Sequence, residues 1–333
     1  MRVYELRNTT GLDALTLAER ENPIPGPGEV LIQMRAAALN YRDILVLNGL
    51  YPHMHLPLIP LSDGVGTVVA VGENVTRAKP GDRVAGIFDQ NWLSGTSSES
   101  PSALGGHVDG MLAERVVLSQ DSVVHVPEHL TDEEAATLPC AAVTAWNALM
   151  ARSAPKPGET VLVQGTGGVS LFALQFAHLA GARVIITSSS DEKLERARRL
   201  GADEIINYRR TPDWDQEVLR LTGGKGVDHI VEVGGPATLP RSLNAARVNG
   251  HISLIGVLSG TDAEISLFPM LVKQLHLQGI YVGSRSMFEQ MNEAIALHRL
   301  KPVVDRVFPF EAAPEAFRYL EKGTHVGKVC IRF

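Results

Sequence analysis

Cysteine is scarce in this 333-residue chain, which contains only Cys140 and Cys330. Two cysteines so far apart cannot form the disulfide framework of a small secreted protein, and they exclude a zinc module built from clustered cysteines. Apolar runs are short as well, since none approaches the ~18–20 residues of a membrane-spanning helix. Residues 1–7 are charged and lack the apolar segment of a signal peptide. These absences predict a cytoplasmic protein that does not enter a membrane.

Positive charge is also in the minority. Lys and Arg number 31 and Asp and Glu number 37, so the net charge is −6 at pH 7. This balance, with no basic run to override it locally, argues against nucleic acid as a partner. The composition of 44% hydrophobic and 20% charged residues indicates a globular protein. At about 100–200 residues per domain, the length suggests two domains.

The first third of the chain is rich in short strand-like segments. Residues 29–34, 66–71 and 82–87 are mostly apolar runs bounded by Gly, Pro, Asn or Asp. They predict short strands in a barrel-like β domain. Residues 91–110 are rich in Ser and Gly and show no periodicity, so we predict a surface loop there.

From about residue 132 onward, strand-like and helix-like segments alternate. Continuous apolar runs predict strands buried on both faces of a parallel sheet, with helices between them: 160–164, 183–187, 204–208, 227–232 and 251–255. Ser189 and Glu192 have the spacing of a capping box, which predicts a helix from there to Leu200. This part of the chain is therefore predicted to be a doubly wound α/β domain.

A glycine-rich loop joins the first of these strands to the next helix, and its residues are Gly165, Thr166, Gly167, Gly168 and Val169. A strand, a loop and a helix in this order are the context that a dinucleotide-binding fingerprint requires. Gly165 allows a tight turn, and Gly167 lets the backbone approach a pyrophosphate at the helix N-terminus. Ser170 stands in place of a third glycine. An ordinary tight turn is the alternative, but it would not need this second pair of glycines.

The second strand of this domain ends in Ser188 and Ser189. An NAD site usually has an acidic residue there, which binds the ribose 2′-OH. Hydroxyl groups with Lys193 nearby can instead receive a 2′-phosphate. The sequence therefore favours NADPH over NADH, the alternative being that the serines only cap the next helix.

With these motifs placed, the chain resembles the medium-chain dehydrogenase/reductase superfamily over nearly its full length. The matching stretches are 26–30, 38–43, 63–66, 79–84, 144–146, the glycine loop and 327–329. The resemblance implies a GroES-like β-barrel catalytic domain formed by residues 1–125 and 275–333, and a Rossmann NAD(P)-binding domain at 126–274. It also implies a homodimer or homotetramer that pairs through the strand at 277–283.

Alcohol dehydrogenases of this superfamily hold a catalytic zinc, and the resemblance places their ligand positions at Asn40, Ser62 and Cys140, with Asp63 beside Ser62. Only Cys140 is a good zinc ligand, because an amide and a hydroxyl do not replace a thiolate and an imidazole. Residues 86–120 contain no cysteine, so the four-cysteine structural zinc lobe is absent too. The chain thus resembles the zinc-independent, quinone-oxidoreductase-like branch.

Three histidines are candidates for an independent metal site. His53 and His55 stand two residues apart, so both rings of an extended segment would lie on one side. His107 lies further along the chain, and no other ligand stands at metal-motif spacing. We therefore expect solvated loop histidines and no bound metal.

A site without a Lewis acid suits reduction of a polarised C=C bond or a quinone better than reduction of a simple ketone. Tyr51 lies in a Gly-x-Tyr-Pro segment similar to that of quinone and enoyl reductases, and it is the candidate proton donor. Asn40 can donate its amide N–H to the substrate or cofactor, and Asp43 can orient its neighbours. A purely structural role is the alternative for each of the three.

The resemblance also implies contacts of other residues with the cofactor. Thr144 and the ends of two late strands are expected near the nicotinamide, and Tyr208 near the adenosine phosphate. The strand-end residues are Ile255, Val257, Ile280 and Val282. Phe88 and Trp92 border the 91–110 loop and are candidates for an apolar substrate pocket.

The sequence thus predicts an NADPH-dependent, zinc-independent oxidoreductase that transfers hydride to enones, enals or quinones. A small carbonyl or quinone substrate is the expected partner. Two alternatives stay open. A metal-free alcohol or aldehyde dehydrogenase would oxidise alcohols in the presence of a chelator, and a non-catalytic NADPH-binding protein would bind the cofactor without turnover.

Overall fold

The computed structural model describes residues 1–97, 100–151, 153–262 and 264–333. The chain forms two compact units, one comprising Met1–Val143 and Gly283–Phe333 and the other Thr144–Val282. Both boundaries come later in the chain than the divisions after residues 125 and 274 that the sequence suggested. The physical reason is long-range pairing: the helix Asp132–Ala136 packs on strands of the first unit, and the strand His276–Gly279 joins the sheet of the second.

The first unit begins with a series of short strands and two short helices. The strands are β1 (Arg2–Leu6), β2 (Leu15–Glu19), β3 (Glu29–Ala38), β4 (Asp63–Val71), β5 (Arg83–Gly86), β6 (Arg115–Ser119) and β7 (Val123–His125). The helices are α1 (Tyr41–Leu47) and α2 (Asp132–Ala136). A π-helical turn at Leu138–Ala142 follows α2.

The second unit alternates strands and helices along the chain. Its elements are α3 (Val143–Leu149), β8 (Thr160–Gln164), α4 (Gly168–Leu179), β9 (Arg183–Ser188), α5 (Asp191–Arg199), β10 (Glu204–Asn207), α6 (Trp214–Leu221), β11 (Val227–Glu232), α7 (Leu239–Ala245), β12 (Ala246–Leu254), α8 (Phe268–Lys273) and β13 (His276–Gly279). The strands form one parallel sheet in the order β10-β9-β8-β11-β12-β13. This is the 3-2-1-4-5-6 order of a dinucleotide-binding sheet, and it confirms the predicted α/β fold.

The chain then returns to the first unit with α9 (Arg285–His298), β14 (Val304–Pro309), α10 (Ala313–Glu321) and β15 (Lys328–Arg332). The main sheet of this unit has the order β14-β15-β3-β4-β5-β7, and β6 pairs with β3. The last strand of the chain therefore lies beside β3, with Cys330 opposite Ala38. Within the described residues, every helix is too short or too polar to span a lipid bilayer.

The segment 91–110 is less exposed than the predicted surface loop. Trp92, Ala103 and Leu104 are each less than 5% exposed, and the indole Nε1 of Trp92 donates to the Gly95 carbonyl at 2.9 Å. Residues 98 and 99 lie outside the described part. Trp92 and residues 102–106 are buried because they pack into the unit, whereas residues 94–97 are exposed. This burial is a tertiary effect that composition alone does not indicate.

The cap of α5 lies one residue later than predicted. Ser190, rather than Ser189, precedes the helix and accepts from the Lys193 backbone N–H at 3.5 Å. The reason is that β9 continues to Ser188, which leaves Ser189 in the connection.

Three histidines stack across neighbouring strands of the parallel sheet. His229, His251 and His276 are in register on β11, β12 and β13, with ring centroids 5.4 Å and 4.5 Å apart. Burial lowers the pKa of His251, and the flanking His229, His276 and Arg247 lower it further, while Glu159 opposes them. The central ring is therefore held in its neutral form.

We expect this stack to make the second unit less stable in acid. Because the pKa of His251 is lower in the folded chain than its ordinary 6.5, the unfolded chain binds more protons as the pH falls below about 6.5, and folding is disfavoured. His251→Phe keeps a stacked ring that cannot titrate. Its Tm should fall less than that of the native chain between about pH 7.5 and about pH 5.

The matched control is His298→Phe, which replaces an exposed histidine at the end of α9. Thermal melting of the three proteins across the pH series measures the effect. An equally steep loss of Tm in His251→Phe and in the native chain would show that the stack does not cause it.

Candidate functional site

A buried polar cluster in the first unit lies where β3 ends and β15 begins. The Lys328 side chain donates from Nζ to the Leu39 carbonyl at 2.7 Å, to Oδ1 of Asn40 in a short hydrogen bond, and to Oδ2 of Asp63 at 3.5 Å. Lys328 is 3% exposed and Asp63 is fully buried. The pairing of β15 with β3 thus brings a cation from the end of the chain onto Asn40.

Hydrogen bonds extend this cluster on either side of Asn40. Its amide Nδ2 donates to Oγ of Ser62 at 3.5 Å, and Ser62 donates to Oδ1 of Asp63 at 2.8 Å. The backbone N–H of Asn40 donates to Oδ2 of Asp43 at 2.7 Å. Burial raises the pKa of Asp43 to about 6, although the nearby Arg42 guanidinium opposes the shift. The hydrogen bond from Asn40 N to Asp43 fixes the backbone of Asn40.

The donor set of this cluster does not fit a zinc ion. The positions compared with zinc ligands hold an amide, a hydroxyl and the thiol of Cys140, whose pKa burial raises to about 12. Lys328 adds a positive charge directly on Asn40. His53 and His55 are exposed, and no group of three His, Cys, Asp or Glu side chains among the described residues is arranged to hold a metal. A catalytic zinc needs about three such ligands.

Tyr51 is half-buried in the same unit and lies against a buried cation. The guanidinium carbon of Arg42 is 4.3 Å from the centre of the Tyr51 ring and 4.7 Å from that of Phe88, and the ring of His107 is 5.4 Å from that of Tyr51. Burial disfavours the charge of Arg42, yet Asp43 and Tyr51 raise its pKa above the ordinary value. Phe88, 2% exposed, packs on this guanidinium.

The glycine loop of the second unit lies at the carboxyl end of β8, where the strand order of the sheet reverses. Gly165 has a φ of +74°, a conformation that favours glycine. A Cβ at Gly167 would have no heavy atom within 4 Å, so the backbone is open to a ligand there. Ser170 Oγ donates to the Gln164 carbonyl at 2.7 Å and ties α4 to the strand. The free N–H groups of the first turn of α4 fit the phosphates of a dinucleotide.

A fully buried carboxyl group, that of Glu232, is hydrogen-bonded to Gln164, the residue that precedes this loop. Glu232, the last residue of β11, accepts hydrogen bonds from Gln164 Nε2 at 2.7 Å, Gly234 N at 2.9 Å, Gly235 N at 3.0 Å, Thr238 Oγ1 at 2.5 Å and, in a short bond, Ser242 Oγ. It therefore joins the strand before the glycine loop to the loop after β11. The sequence predicts Glu232 only as a strand residue, although an acid that ends an apolar buried strand is a signal for such a role.

Four predicted cofactor residues lie at or near the ends of β9 and β10. Ser188 is the last residue of β9 and Ser189 follows it, Lys193 is in the first turn of α5, and Tyr208 follows β10. The Tyr208 backbone N–H donates to the Ser188 carbonyl at 3.1 Å, which joins the two strand ends. Asp191, the nearest carboxylate in sequence, accepts from Asn207 Nδ2 at 2.6 Å and pairs with Arg210. Its charge is therefore already compensated within the chain.

The other predicted cofactor residues lie at two strand ends and in α3. Ile255 and Val257 follow β12, Ile280 and Val282 follow β13, and Thr144 is buried in α3. The Ile280 N–H donates to the carbonyl of Leu254 at 2.9 Å. Val282 has a φ of +46°, and its carbonyl accepts from Asn147 Nδ2 at 2.7 Å. These bonds fix the backbone at the carboxyl edge of the sheet, where such sheets bind ligands.

Comparison with known proteins covers both units. Residues 26–128 match the alcohol dehydrogenase GroES-like domain, and residues 168–297 match the zinc-binding dehydrogenase domain. A zinc-type alcohol dehydrogenase-like protein of Schizosaccharomyces pombe is 47% identical, over 97% of this chain and 96% of its own. An acryloyl-coenzyme A reductase of Metallosphaera sedula is 30% identical, over 94% and 95%. The crystal structure of an NAD-dependent alcohol dehydrogenase has 38% identity and a TM-score of 0.92 over all of both chains.

Replacing Glu232 tests whether it supports the glycine loop. Glu232→Gln keeps the size of the side chain but presents an amide N–H to groups that are themselves donors. Leaving one or two of them unpaired should cost about 2–3 kcal/mol, or about 5 °C in Tm, and should weaken NADPH binding. Thermal melting and fluorescence titration with NADPH measure the two effects.

Glu195→Gln is the control, because Glu195 is an exposed residue of α5 whose ion pair with Arg198 is on the surface. It should leave both Tm and NADPH affinity unchanged. If Glu232→Gln behaves like this control, the buried carboxylate does not position the loop.

Proposed function

This chain belongs to the medium-chain dehydrogenase/reductase superfamily, and we propose on that basis that it is an NADPH-dependent reductase of enones, enals or quinones that works without zinc. It is an NAD(P)-dependent oxidoreductase, as its similarity to an acryloyl-coenzyme A reductase and to an NAD-dependent alcohol dehydrogenase supports. The observation that carries the finer proposal is the cluster around Lys328. An amide and a hydroxyl occupy two of the three positions compared with zinc ligands, and a buried ammonium group bonds to that amide.

The chemistry follows from what these side chains can donate. Bound NADPH would supply the hydride, which adds to the β-carbon of the substrate. Asn40 donates an amide N–H to the carbonyl oxygen, where negative charge then develops. Tyr51 gives its hydroxyl proton to the α-carbon and completes the reduction. The Arg42 cation against the Tyr51 ring favours the charge left on the phenol oxygen.

Residues of the second unit hold the cofactor in this proposal. The loop from Gly165 to Val169, with Thr166, Gly167 and Gly168 between them, receives the pyrophosphate. Ser188, Ser189 and Lys193 receive the 2′-phosphate, with Tyr208 beside the adenosine. Thr144 and the backbone of Ile255, Val257, Ile280 and Val282 flank the nicotinamide. Asp191 already pairs with Asn207 and Arg210, so it does not offer a free carboxylate to a ribose 2′-OH. This supports the proposed preference for NADPH over NADH.

The proposed oligomer is a homodimer or homotetramer that pairs through β13. This strand is at one edge of the parallel sheet and pairs with β12 on its other side. The neighbouring α8 exposes large apolar side chains, with Phe268 at 68%, Leu271 at 74% and Val272 at 51% exposed. Contiguous exposed apolar residues are typical of an interaction surface.

The reductase activity is tested by the loss of NADPH absorbance with enones, enals, quinones and simple ketones, in the presence of a metal chelator. We expect turnover of the C=C or quinone substrates. Tyr51→Phe removes the donated proton and should lower kcat by about 100-fold or more. Tyr41→Phe, which changes an exposed tyrosine at the start of α1, is the control and should keep kcat.

Other outcomes contradict particular parts of the proposal. Oxidation or reduction confined to simple alcohols and carbonyls would favour the metal-free alcohol dehydrogenase. Loss of activity with the chelator would show that a metal is required. Binding of NADPH without any turnover would indicate a non-catalytic protein.

Cofactor preference is tested through Lys193. Lys193→Ala removes a charged partner of the 2′-phosphate and should raise KM for NADPH by about 10-fold while leaving KM for NADH unchanged. Lys156→Ala changes an exposed lysine of the same unit and should affect neither value. If the native enzyme prefers NADH, the proposed preference for NADPH is wrong. The similarity to an NAD-dependent alcohol dehydrogenase makes this comparison worth testing.

A further inference from the structure

We propose that Lys328 is a positioning residue that fixes the side-chain amide of Asn40 so that its N–H groups are presented to the substrate oxygen. The ammonium group of Lys328 thus acts on the substrate through Asn40, in the region where zinc-dependent relatives bind their metal. The inference rests on the proposed function, because Asn40 contacts the substrate only there.

The orientation of the Asn40 amide follows from the chemistry of its neighbour. A lysine ammonium has three N–H donors and no acceptor. The atom of Asn40 that faces Nζ of Lys328 must therefore be the carbonyl oxygen Oδ1, as the short hydrogen bond between them has it. The amide nitrogen then points away from Lys328.

The two hydrogens on the amide nitrogen are not both used within the cluster. Among the described residues, the hydrogen bond recorded for Nδ2 of Asn40 is a long one of 3.5 Å to Oγ of Ser62. Ser62 gives its own hydrogen to Asp63 at 2.8 Å, so it can act toward Asn40 only as an acceptor. One amide N–H is thus left for a substrate oxygen.

Lys328 is the charged partner that selects this orientation, whereas the capping-box contact with the Asp43 backbone and the 3.5 Å bond to Ser62 are weaker, neutral contacts. The two orientations of an asparagine amide have nearly the same shape, and only their hydrogen-bond partners distinguish them. The bond from Asn40 N to Asp43 fixes the backbone but not the amide. Asp63 keeps the ammonium in place as its buried counter-charge. The bond from Lys328 to Oδ1 also polarises the Asn40 amide, and this strengthens its N–H groups as hydrogen-bond donors.

Lys328 cannot perform this role by touching the substrate. It is 3% exposed, and its three N–H donors already have three acceptors, on Leu39, Asn40 and Asp63. Any effect of Lys328 on the reaction should therefore pass through Asn40. This dependence separates positioning from a general contribution to stability.

A double-mutant cycle measures the dependence. The cycle is built in the native chain, because Lys328→Met leaves the Asp63 carboxylate without its partner both with and without Asn40, and this cost cancels in the comparison. We expect Lys328→Met to lower kcat by about 10- to 100-fold when Asn40 is present, and by less than about 3-fold when Asn40 has been changed to Leu. KM for NADPH should not change in any of the four proteins.

If Lys328→Met lowers kcat by the same factor with Asn40 present and with Asn40 changed to Leu, the inference is overturned. Such a result would mean that Lys328 acts independently of Asn40. Such a result, with C=C or quinone turnover by the native enzyme, would leave the proposed function standing. Absence of turnover by the native enzyme on every C=C and quinone substrate would overturn both.

A second variant tests the amide N–H on which the inference depends, and it applies also if the Lys328→Met proteins do not fold. Asn40→Asp in the native chain keeps an acceptor for Lys328 and strengthens the ion pair, but it has no side-chain N–H. Once thermal melting shows that the variant is folded, we expect a fall in kcat of about 100-fold. Native kcat in Asn40→Asp would overturn the inference.

Discussion

The buried ion pair between Lys328 and Asp63 is the interaction on which the site of the first unit depends. A charge in a protein interior costs several kcal/mol unless it is paired and hydrogen-bonded. Lys328 meets this requirement only because β15 lies beside β3 and β3 beside β4. The segment that follows the inserted second unit must therefore return to the N-terminal sheet before the site exists. The same constraint explains why this unit is built from two separate stretches of chain.

The second unit uses a buried charge in a comparable way. Among the described residues, five donors from three parts of the chain converge on Glu232, and none of them is a lysine. These donors connect the end of β8, the loop after β11 and the start of α7. Charge-assisted hydrogen bonds are stronger than neutral ones and demand good geometry. In both units, then, one buried acidic or basic side chain fixes the backbone beside the residues proposed to bind ligand.

Local patterns in the sequence predicted the parallel sheet and the glycine loop well, because a strand buried on both faces and a tight turn leave direct marks on residue type. Long-range pairing left weaker marks. Lys328 was noted as part of a motif but given no role, since Asn40 and Asp63 are 288 and 265 residues away. The membership of β13 in the second unit and the burial of Trp92 depend on contacts of the same kind. The shift of the α5 cap to Ser190 reflects one more residue of β9 pairing than its apolar run indicated.

The chemistry of the donor set also bears on which substrates suit the proposed reaction. A bound metal stabilises a developing alkoxide by several kcal/mol, whereas one well-placed hydrogen-bond donor contributes about 2.7–4 kcal/mol. An alkoxide concentrates its charge on one oxygen and gains most from a metal. An enolate or a hydroquinone anion spreads its charge over several atoms and requires less stabilisation at its oxygen. An oriented amide N–H therefore provides a larger share of that stabilisation. An amide held by Lys328 therefore fits a delocalised anion better than an alkoxide, which is the physical reason for favouring C=C and quinone substrates over simple ketones.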